Sequence, residues 1–352
     1  MHTRLENILA DISPADHSFK TQAENRSNTL IMPPRAMGAL LDIAEQLCSI
    51  QRTLTPSIAR KGVLVLAGDH GIATAGVSAY PQELTVQMIG AFLGGFAGIN
   101  TLADHAGADI LVADIGVNAD LTDLATAHPD TFKIRKVAMG TENFAEGPAM
   151  TRDQATTAIL TGYDLASEMF ASGIDTLATG EMGIGNTTPS AAIGAVLTGQ
   201  DLDIMVGRGT CIDDHALKNK RELIARGIEV NAPNPADGLD VLAKVGGYEI
   251  GGIAGMILAA AHHRKLVVVD GFISTAGALI AQALCPVSTQ YMISGHASAE
   301  PGHKAMVKKL GLSPVLQLDL RLGEGTGAVL AMNIIEGAIS VFTGMKTWDD
   351  LK

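Results

Sequence analysis

The chain has 352 residues, of which 47% are hydrophobic and 18% are charged, and its formal net charge at pH 7 is −12. This composition predicts a folded globular protein with a large core and excludes an intrinsically disordered chain. The acidic balance argues against a nucleic-acid-binding surface, which needs a basic face, although local donors could still hold a phosphorylated small molecule.

The three cysteines, Cys48, Cys211 and Cys285, are widely spaced along the chain. We interpret them as small buried hydrophobic residues in a reducing compartment. The N-terminus lacks a basic segment followed by an apolar one, and the longest apolar run, residues 250–261, is too short to span a bilayer. We therefore expect a cytoplasmic protein that does not contact a membrane.

Taken in chain order, the sequence predicts alternating helices and strands. Helices are predicted over residues 37–50, from about residue 85, over 152–172 and over 277–284. Strand-like runs lie at 61–67, 109–115, 176–179, 204–206, 266–269, 291–294 and 315–320. This alternation predicts an α/β fold with a mostly parallel sheet flanked by helices.

The two ends of the chain contain no predicted strand inside residues 1–60 or 328–352. We predict that these two segments together form a small helical domain. Residues 61–327 are then the large α/β catalytic domain.

One glutamate, Glu324, lies among three glycines in residues 321–327 (RLGEGTG), between two apolar runs. Glycines permit positive φ and let a ligand approach the backbone closely. A solvated turn glutamate is the plain alternative. A second carboxylate, Glu181, has a similar setting in residues 180–189 (GEMGIGNTTP), which makes the pair a candidate for one site.

Residues 180–189 also predict a helix start with a threonine N-cap and a proline at the first helical position. Backbone N–H groups and the positive end of the helix dipole favour a bound phosphate there. An ordinary capped helix is the alternative. No Lys-Ser or Lys-Thr follows the glycines, so a Walker-type NTPase is not supported.

A buried strand over residues 266–269 delivers Asp270 to a helix start, similar to the diphosphoribosyl-binding loop of ordinary phosphoribosyltransferases. In that loop two adjacent acidic residues hold ribose hydroxyls near magnesium, whereas here the second is Gly271. Ribose-phosphate binding stays open, and so does a buried strand that ends in a capping aspartate.

Two further stretches carry polar groups after predicted strands. Residues 206–210 (VGRGT) precede a helix with Lys218 and Lys220, either of which could meet a phosphate. Residues 294–300 (SGHASAE), with Asp69 and His70, suggest a metal site, but no close histidine pair occurs, so we predict no metal and no cofactor. The absence of Gly-x-Ser-x-Gly argues against a Ser-His-Asp hydrolase.

Six segments occur in an order that resembles one family. They are residues 68–71 (GDHG), 76–82 (GVSAYPQ), 179–188 (TGEMGIGNTT), 234–238 (NPADG), 270–272 (DGF) and 322–327 (LGEGTG). They resemble the nicotinate-nucleotide–dimethylbenzimidazole phosphoribosyltransferases, which make the lower-ligand nucleotide of cobalamin. The match runs from about residue 33 to the C-terminal helix.

The resemblance implies a Rossmann-like sheet with a small helical domain from both termini, working as a homodimer. It implies transfer of the 5-phosphoribosyl group from nicotinate mononucleotide to 5,6-dimethylbenzimidazole or a related base, giving α-ribazole 5′-phosphate and nicotinate. Glu324 then matches the family's general base, and Glu181 its supporting carboxylate.

The motifs and the resemblance together define three sets of site residues. The catalytic candidates are Glu324 and Glu181. Candidate phosphate and ribose contacts are Gly183, Gly185, Asn186, Thr187, Gly209, Lys220, Asp270 and Ser298. Candidate base contacts are Asp69, His70, Tyr80, Gln87, Met88 and Leu322. Tyr80 and Met88 stand where better-known members place a serine and a glutamine, and residues 33–38 (PPRAMG) depart from the family's Pro-Pro-Gly-Ser-Leu-Gly.

The chemistry of the substrates agrees with this assignment. Nicotinate bound to ribose is already a cationic pyridinium and can leave without a metal-bound diphosphate. The incoming imidazole must lose its ring proton, for which a carboxylate is a suitable base. The alternatives are a magnesium-dependent enzyme that uses phosphoribosyl diphosphate, and a non-catalytic nucleotide- or base-binding protein of the same fold.

Overall fold

A parallel sheet of six strands forms the centre of the computed structural model, which describes residues 2–352. The strands are β1 (Lys61–Gly68), β2 (Ala108–Gly116), β3 (Phe132–Ile134), β4 (Thr176–Met182), β5 (Leu266–Val269) and β6 (Met292–Ser294). Their order is β3-β2-β1-β4-β5-β6, and each neighbouring pair is parallel. This order is that of doubly wound dinucleotide-binding folds, which confirms the predicted Rossmann-like α/β class.

Helices cover both faces of the sheet. They are α1 (His2–Asp11), α2 (His17–Ser27), α3 (Ala39–Gln51), α4 (Leu84–Leu93), α5 (Gly98–Ala106), α6 (Thr122–Ala127), α7 (Arg152–Ala171), α8 (Thr187–Thr198), α9 (Leu202–Met205), α10 (Asp214–Asn231), α11 (Gly238–Val245), α12 (Tyr248–His262), α13 (Phe272–Leu284), α14 (His303–Leu310) and α15 (Thr326–Gly344). Short 3-10 helices lie at Gly71–Ala75, Pro286–Tyr291 and Trp348–Leu351.

The core is organised around β1 and α12. All eight residues of β1 are buried, as its unalternated apolar sequence predicts for a strand covered on both faces. Residues 248–261 of α12 are also buried, because this helix packs between α7 and the sheet. The register aligns Leu66 of β1 with Glu181 of β4, so Glu181 lies close to the carboxyl end of both strands.

The backbones of α7 and α12 touch. A Cβ atom on Gly162 would lie 1.9 Å from the carbonyl oxygen of Gly252, and one on Gly255 would lie 1.8 Å from that of Ile159. No side chain larger than hydrogen fits at these positions. The small residues of α12 therefore set the distance between this helix and α7.

The strand order reverses between β1 and β4. The chain runs outward from β1 to β2 and β3, returns to the other side of β1 with β4, and continues outward to β6. Loops that leave β1 and β4 therefore diverge to opposite sides and leave a crevice at the carboxyl ends of these strands. Ligands of open α/β sheets bind in this crevice.

The N- and C-terminal segments contact one another. Helix α3 packs against α2 and α15, and Leu30 forms an isolated antiparallel bridge with Thr347. The Arg26 guanidinium donates to the carbonyl oxygen of Phe342 at 3.1 Å. The division into a domain at 61–327 and a second at 1–60 plus 328–352 stays a prediction.

Two predicted strands are wrong. Residues 204–206 lie at the end of α9, because Met205 N–H donates back to the Asp201 carbonyl, and short apolar runs suit helices and strands alike. Residues 315–320 run beside the extension of β6 but form only one bridge, between Leu316 and His296. The short strand β3 was not predicted.

The cysteines differ from expectation at one position. Cys48 and Cys285 are buried, but Cys211 is exposed. It lies in the loop between α9 and α10, at a φ of +66°. Cys211 is therefore not one of the small core residues that the sequence suggested.

By length and composition alone, two helical stretches, Leu84–Ala106 and Thr326–Gly344, would be able to cross a bilayer. Core helices of globular proteins pass the same test, so it is weak evidence. The first stretch is broken between α4 and α5 at residues 94–97. Glu336 in the second forms an ion pair with the buried Lys61.

We expect Gly162→Ala to lower the free energy of unfolding by about 1–3 kcal/mol or more, since the new methyl group would overlap the α12 backbone. Chemical denaturation followed by circular dichroism measures this loss. Gly337→Ala is the matched control: Gly337 lies on an exposed position of α15 with no neighbour near its Cβ, and alanine should stabilise it by about 0.5–1 kcal/mol. Equal effects at both positions would contradict the close contact.

Candidate active site at the sheet switch point

A cavity of about 560 Å³ opens at the carboxyl ends of β1, β4, β5 and β6. Its walls come from residues 77–88, 181–187, 209–211, 270–273, 296–300 and 319–324. These segments are mostly loops that follow the strands, together with part of α4, the loop between α9 and α10, and the turn before α15. The cavity therefore occupies the crevice that the strand order creates.

Glu324 lines this cavity from a strained turn. Its φ is +63°, between Gly323 at +85° and Gly325 at +96°, so three consecutive residues are left-handed. The side chain is 5% exposed, and its Oε2 accepts a hydrogen bond from Ile99 N–H at 3.2 Å. Within residues 2–352, Oε1 accepts no hydrogen bond. Burial raises the pKa of Glu324, and the charge of Asp270 raises it further, while the Ile99 bond lowers it.

Glu181 lies beside Glu324 at the end of β4. Its Oε1 accepts from the backbone N–H of Glu324 at 3.4 Å, and its Oε2 accepts from the amide of Asn186. Burial raises the pKa of Glu181 to about 8, with the charge of Asp270 adding to the effect. The two glutamates that the sequence singled out therefore meet in one site.

Residues 183–187 form a compact loop before α8. The helix begins at Thr187, with Asn186 as its N-cap residue and Gly185 at a φ of +89°. The sequence predicted a threonine N-cap with Pro189 as the first helical residue, but the helix begins two residues earlier, at Thr187, and its N-cap residue is Asn186, whose side chain donates to Glu181. Residues 183–187 line the cavity, and the positive end of the α8 dipole there suits an anion.

Lys220 lies directly behind this helix start. It is fully buried, and its Nζ donates to Thr187 Oγ1 at 2.7 Å. Burial lowers the pKa of Lys220 to about 8, although the nearby Glu300 raises it. Lys218, two residues earlier on α10, is exposed and pairs with Glu222 at 3.7 Å. Lys220 does not line the cavity itself, but of the two lysines it is the one that contacts Thr187, a residue of the cavity wall.

Gly209 and Ser298 lie on the same side. Both line the cavity, and the N–H of Gly209 donates to Glu300 Oε1 at 3.0 Å. Glu300 was not among the predicted site residues. It is nearly buried, and burial raises its pKa, with Lys220 opposing the rise. Its only sequence signal was its place at the end of the small-residue turn 294–300.

The opposite wall is apolar. Tyr80, Leu84, Met88 and Leu322 line it, and Tyr80 and Leu322 are 54% and 60% exposed. Gln87 is exposed on α4 and does not line the cavity, because the next residue of the helix, Met88, occupies the inward position. The structure does not bring Gln87 to the site.

Asp69 does not line the cavity either. Its Oδ1 accepts from Thr85 Oγ1 at 2.8 Å and its Oδ2 accepts from Asn118 N–H at 2.9 Å. Both oxygens are thus occupied below the cavity floor. Asp69 is only 2% exposed, so a direct contact with a base does not fit its position.

His70 is also turned away from the cavity. Its Nε2 lies 2.9 Å from Oε1 of Glu249, and both side chains are buried. Burial lowers the pKa of His70, but the charge and hydrogen bond of Glu249 outweigh it, so the pKa is raised. Glu249 belongs to the first turn of α12 and carried no sequence signal beyond its place beside a long apolar run.

Asp270 lies on the cavity floor and is 1% exposed. Its Oδ1 accepts from Ala328 N–H at 2.9 Å, and its Oδ2 accepts from Gly325 N–H at 3.3 Å. Burial raises the pKa of Asp270, while His296 and these N–H groups oppose the rise. Within residues 2–352, no group of three or more His, Cys, Asp or Glu side chains is arranged to hold a metal ion.

The doubly wound fold and the residues of the cavity together indicate the class of protein. A doubly wound sheet places buried carboxylates and a helix N-terminus in one cavity at the switch point, which suits an enzyme acting on a phosphorylated nucleotide. A family model described as phosphoribosyltransferase matches residues 12–351.

Similar sequences and a similar solved structure identify the family within this class. The chain is 49% identical over 348 residues to the nicotinate-nucleotide–dimethylbenzimidazole phosphoribosyltransferase of Desulfotalea psychrophila, covering 99% of this chain and 97% of that protein. It is 50% identical over 350 residues to that of Desulforamulus reducens, covering 98% and 97%. A crystal structure of the Thermus thermophilus enzyme of this name superposes with a TM-score of 0.89 at 42% identity, covering 96% and 98%. The chain belongs to this phosphoribosyltransferase family.

We expect Glu181→Gln to flatten the pH dependence of stability. The folded pKa of Glu181, about 8, lies above its ordinary value of 4.5, so the folded state holds the proton more tightly. The stability that Glu181 contributes is therefore present below pH 4.5 and is lost as the pH rises through 8. Urea unfolding of both proteins from about pH 5 to 9 measures the difference. An equal loss in the variant would show that Glu181 is not the group that titrates.

Proposed function

We propose that the protein transfers the 5-phosphoribosyl group of nicotinate mononucleotide to 5,6-dimethylbenzimidazole or a related base. The products are α-ribazole 5′-phosphate and nicotinate, in assembly of the cobalamin nucleotide loop. The full-length similarity to enzymes of that name supports this reaction. The observation that carries it is Oε1 of Glu324, which accepts no hydrogen bond from residues 2–352, in a cavity that also contains a helix N-terminus.

Glu324 is the proposed general base. The bond between the pyridinium nitrogen and C1′ breaks and releases neutral-ring nicotinate, while a new bond joins C1′ to the benzimidazole nitrogen. The other ring nitrogen of the acceptor loses its proton to Glu324. The raised pKa of Glu324 improves this transfer, because a base is most effective when its pKa approaches the working pH.

Glu181 is the proposed supporting carboxylate. It accepts the backbone N–H of Glu324 and so acts on the base through the turn. With a pKa of about 8 it can hold or release a proton near neutral pH. The ionised form would stabilise positive charge that develops at C1′.

The remaining contacts divide between the two sides of the cavity. Lys220, Thr187 and the loop with Gly183, Gly185 and Asn186 are the proposed phosphate side, together with Gly209 and Ser298. Tyr80, Met88 and Leu322 are the proposed base side. A buried lysine next to helix N–H groups supports anion binding, and the apolar wall supports a flat aromatic acceptor.

A panel experiment separates this function from its two alternatives. The protein is incubated with nicotinate mononucleotide and several bases, with and without a chelator, and the products are identified by mass. The proposed reaction predicts nicotinate release that survives chelation. Dependence on magnesium and phosphoribosyl diphosphate would favour the other transferase, and tight binding without release would favour a binding protein.

We expect Glu324→Gln to lower kcat by about 10²- to 10⁴-fold, the usual contribution of a general base. Steady-state nicotinate release measures the loss. Glu336→Gln is the matched control, because Glu336 lies on α15, the helix that follows the Glu324 turn, pairs with Lys61 and does not line the cavity. Near-native turnover in the Glu324 variant would remove the base assignment.

We also infer a cytoplasmic homodimer. Phe96, in the loop between α4 and α5, is 85% exposed, and Leu322 beside the cavity is 60% exposed. The two regions adjoin, since a Cβ on Gly98 would lie 3.0 Å from the Leu322 side chain. A second copy of the chain seated there would cover apolar surface that water otherwise meets.

Phe96→Asp should weaken this dimer, because it would place a charge in the proposed apolar interface. Sedimentation velocity over a range of concentrations measures the shift toward monomer. Val230→Asp, at another exposed apolar position, on α10, is expected to leave the association unchanged. A native protein that sediments as a monomer would contradict the proposed dimer outright.

A further inference from the structure

The turn that carries Glu324 lacks a cap of its own. Helix α15 starts after Gly325, which has no side chain to accept the first N–H groups of the helix. The residue before it, Glu324, is left-handed, a conformation unfavourable for a side chain of this kind. Some contact from outside the turn must therefore hold both the helix start and the glutamate.

Asp270 supplies that contact from another part of the fold. It follows β5, lies 55 residues before Gly325 in the chain, and receives the N–H groups of Gly325 and Ala328 on its two oxygens. This is the hydrogen-bonding pattern of an N-cap, provided by a neighbouring strand. Thr326 adds a local bond from its hydroxyl to the carbonyl of Gly323, which tightens the turn but leaves those two N–H groups to Asp270.

We propose that Asp270 is a positioning residue for Glu324: it caps α15 from the end of β5 and fixes the left-handed turn, so that Oε1 of Glu324 faces the acceptor base. This inference rests on the proposed function of Glu324. A ribose contact alone would not account for the two hydrogen bonds by which Asp270 holds the N–H groups of Gly325 and Ala328.

The charges around the turn come from several elements. Glu181 faces it from β4, Asp270 from the end of β5, and His296 from the loop after β6, with Nε2 3.6 Å from Asp270 Oδ1. Arg321 lies on the same loop as Glu324. Of these groups, Asp270 raises the pKa of Glu324, so loss of its charge should lower that pKa.

Asp270→Asn tests the proposal. The amide keeps the size of the side chain but turns an N–H₂ group toward one of the two backbone donors. We expect kcat to fall about 10²-fold, as when a reacting group is displaced by roughly 1 Å. The KM for nicotinate mononucleotide should change less than about threefold, because binding contacts are kept. The acid limb of the kcat profile should move to lower pH.

Asp114→Asn is the matched control. Asp114 is fully buried at the end of β2 and accepts the N–H groups of Gly116 and Val117 at 3.0 and 2.8 Å, but it does not line the cavity. The Asp114→Asn variant should be less stable than the native protein, but the acid limb of its kcat profile should not shift. A large rise in KM with native kcat in Asp270→Asn would make Asp270 a ribose contact and overturn the proposal, as would a native kcat and acid limb in a folded variant.

Hydrogen exchange on the unaltered protein gives a second test that needs no variant to fold. Resolved to single residues, the N–H groups of Gly325 and Ala328 should exchange slowly, although no carbonyl within α15 accepts them. Exchange at the rate of an unprotected loop would overturn the capping role. If the native protein transfers no phosphoribosyl group, the proposed function fails, but the exchange result still decides whether Asp270 caps the turn.

Discussion

Three buried carboxylates meet around one turn, and the backbone N–H groups of that turn make the arrangement possible. Burying an ionised carboxylate without hydrogen-bond partners costs more free energy than the whole fold gains on folding. Here Glu181 and Asp270 receive N–H groups from residues 324, 325 and 328, and Glu324 receives that of Ile99. The turn, β4, β5 and α5 are therefore held by the same few hydrogen bonds.

The two glutamates of the site are far apart in the sequence, and the order of the strands brings them together. Glu181 and Glu324 are 143 residues apart in the chain. The sheet returns to β4 beside β1 and so places the end of β4 at the centre of the molecule, where the turn before α15 packs onto it. A Cβ on Gly180 would lie 2.6 Å from the carbonyl oxygen of Glu324, so glycine at this position is what allows the turn to approach.

Long apolar runs and glycine-framed carboxylates were readable from the sequence. Strands β1 and β5 are buried on both faces, so each appears in the sequence as an unbroken run of apolar residues. A glutamate among glycines does not stabilise a turn, so the position of Glu324 indicated a function. The short run at 204–206 was not readable, since periodicity cannot separate a strand from one turn of helix at that length.

The direction of the side chains at the strand ends could not be predicted from the sequence either. Asp69 and His70 follow β1 as ligand-binding residues do, but their partners Thr85 and Glu249, on α4 and α12, turn them below the cavity floor. Lys218 and Lys220 show the same limit. Residues two apart on a helix point to nearly opposite sides, so only one of the two can contact the start of α8, and its identity depends on how α10 packs.

The same burial that costs stability gives the site a preference for its proposed substrate. Burial raises the pKa values of Glu181, Asp270 and Glu324 together, so the cavity by itself favours protonated carboxyl groups. A nucleotide with a cationic pyridinium ring favours their ionised forms, whereas a neutral ring does not. Once the glycosidic bond breaks, the ring loses its positive charge and with it this attraction. Carboxylates whose ionised forms are unfavourable without a cation beside them would thus bind the charged substrate more tightly than the neutral-ring product.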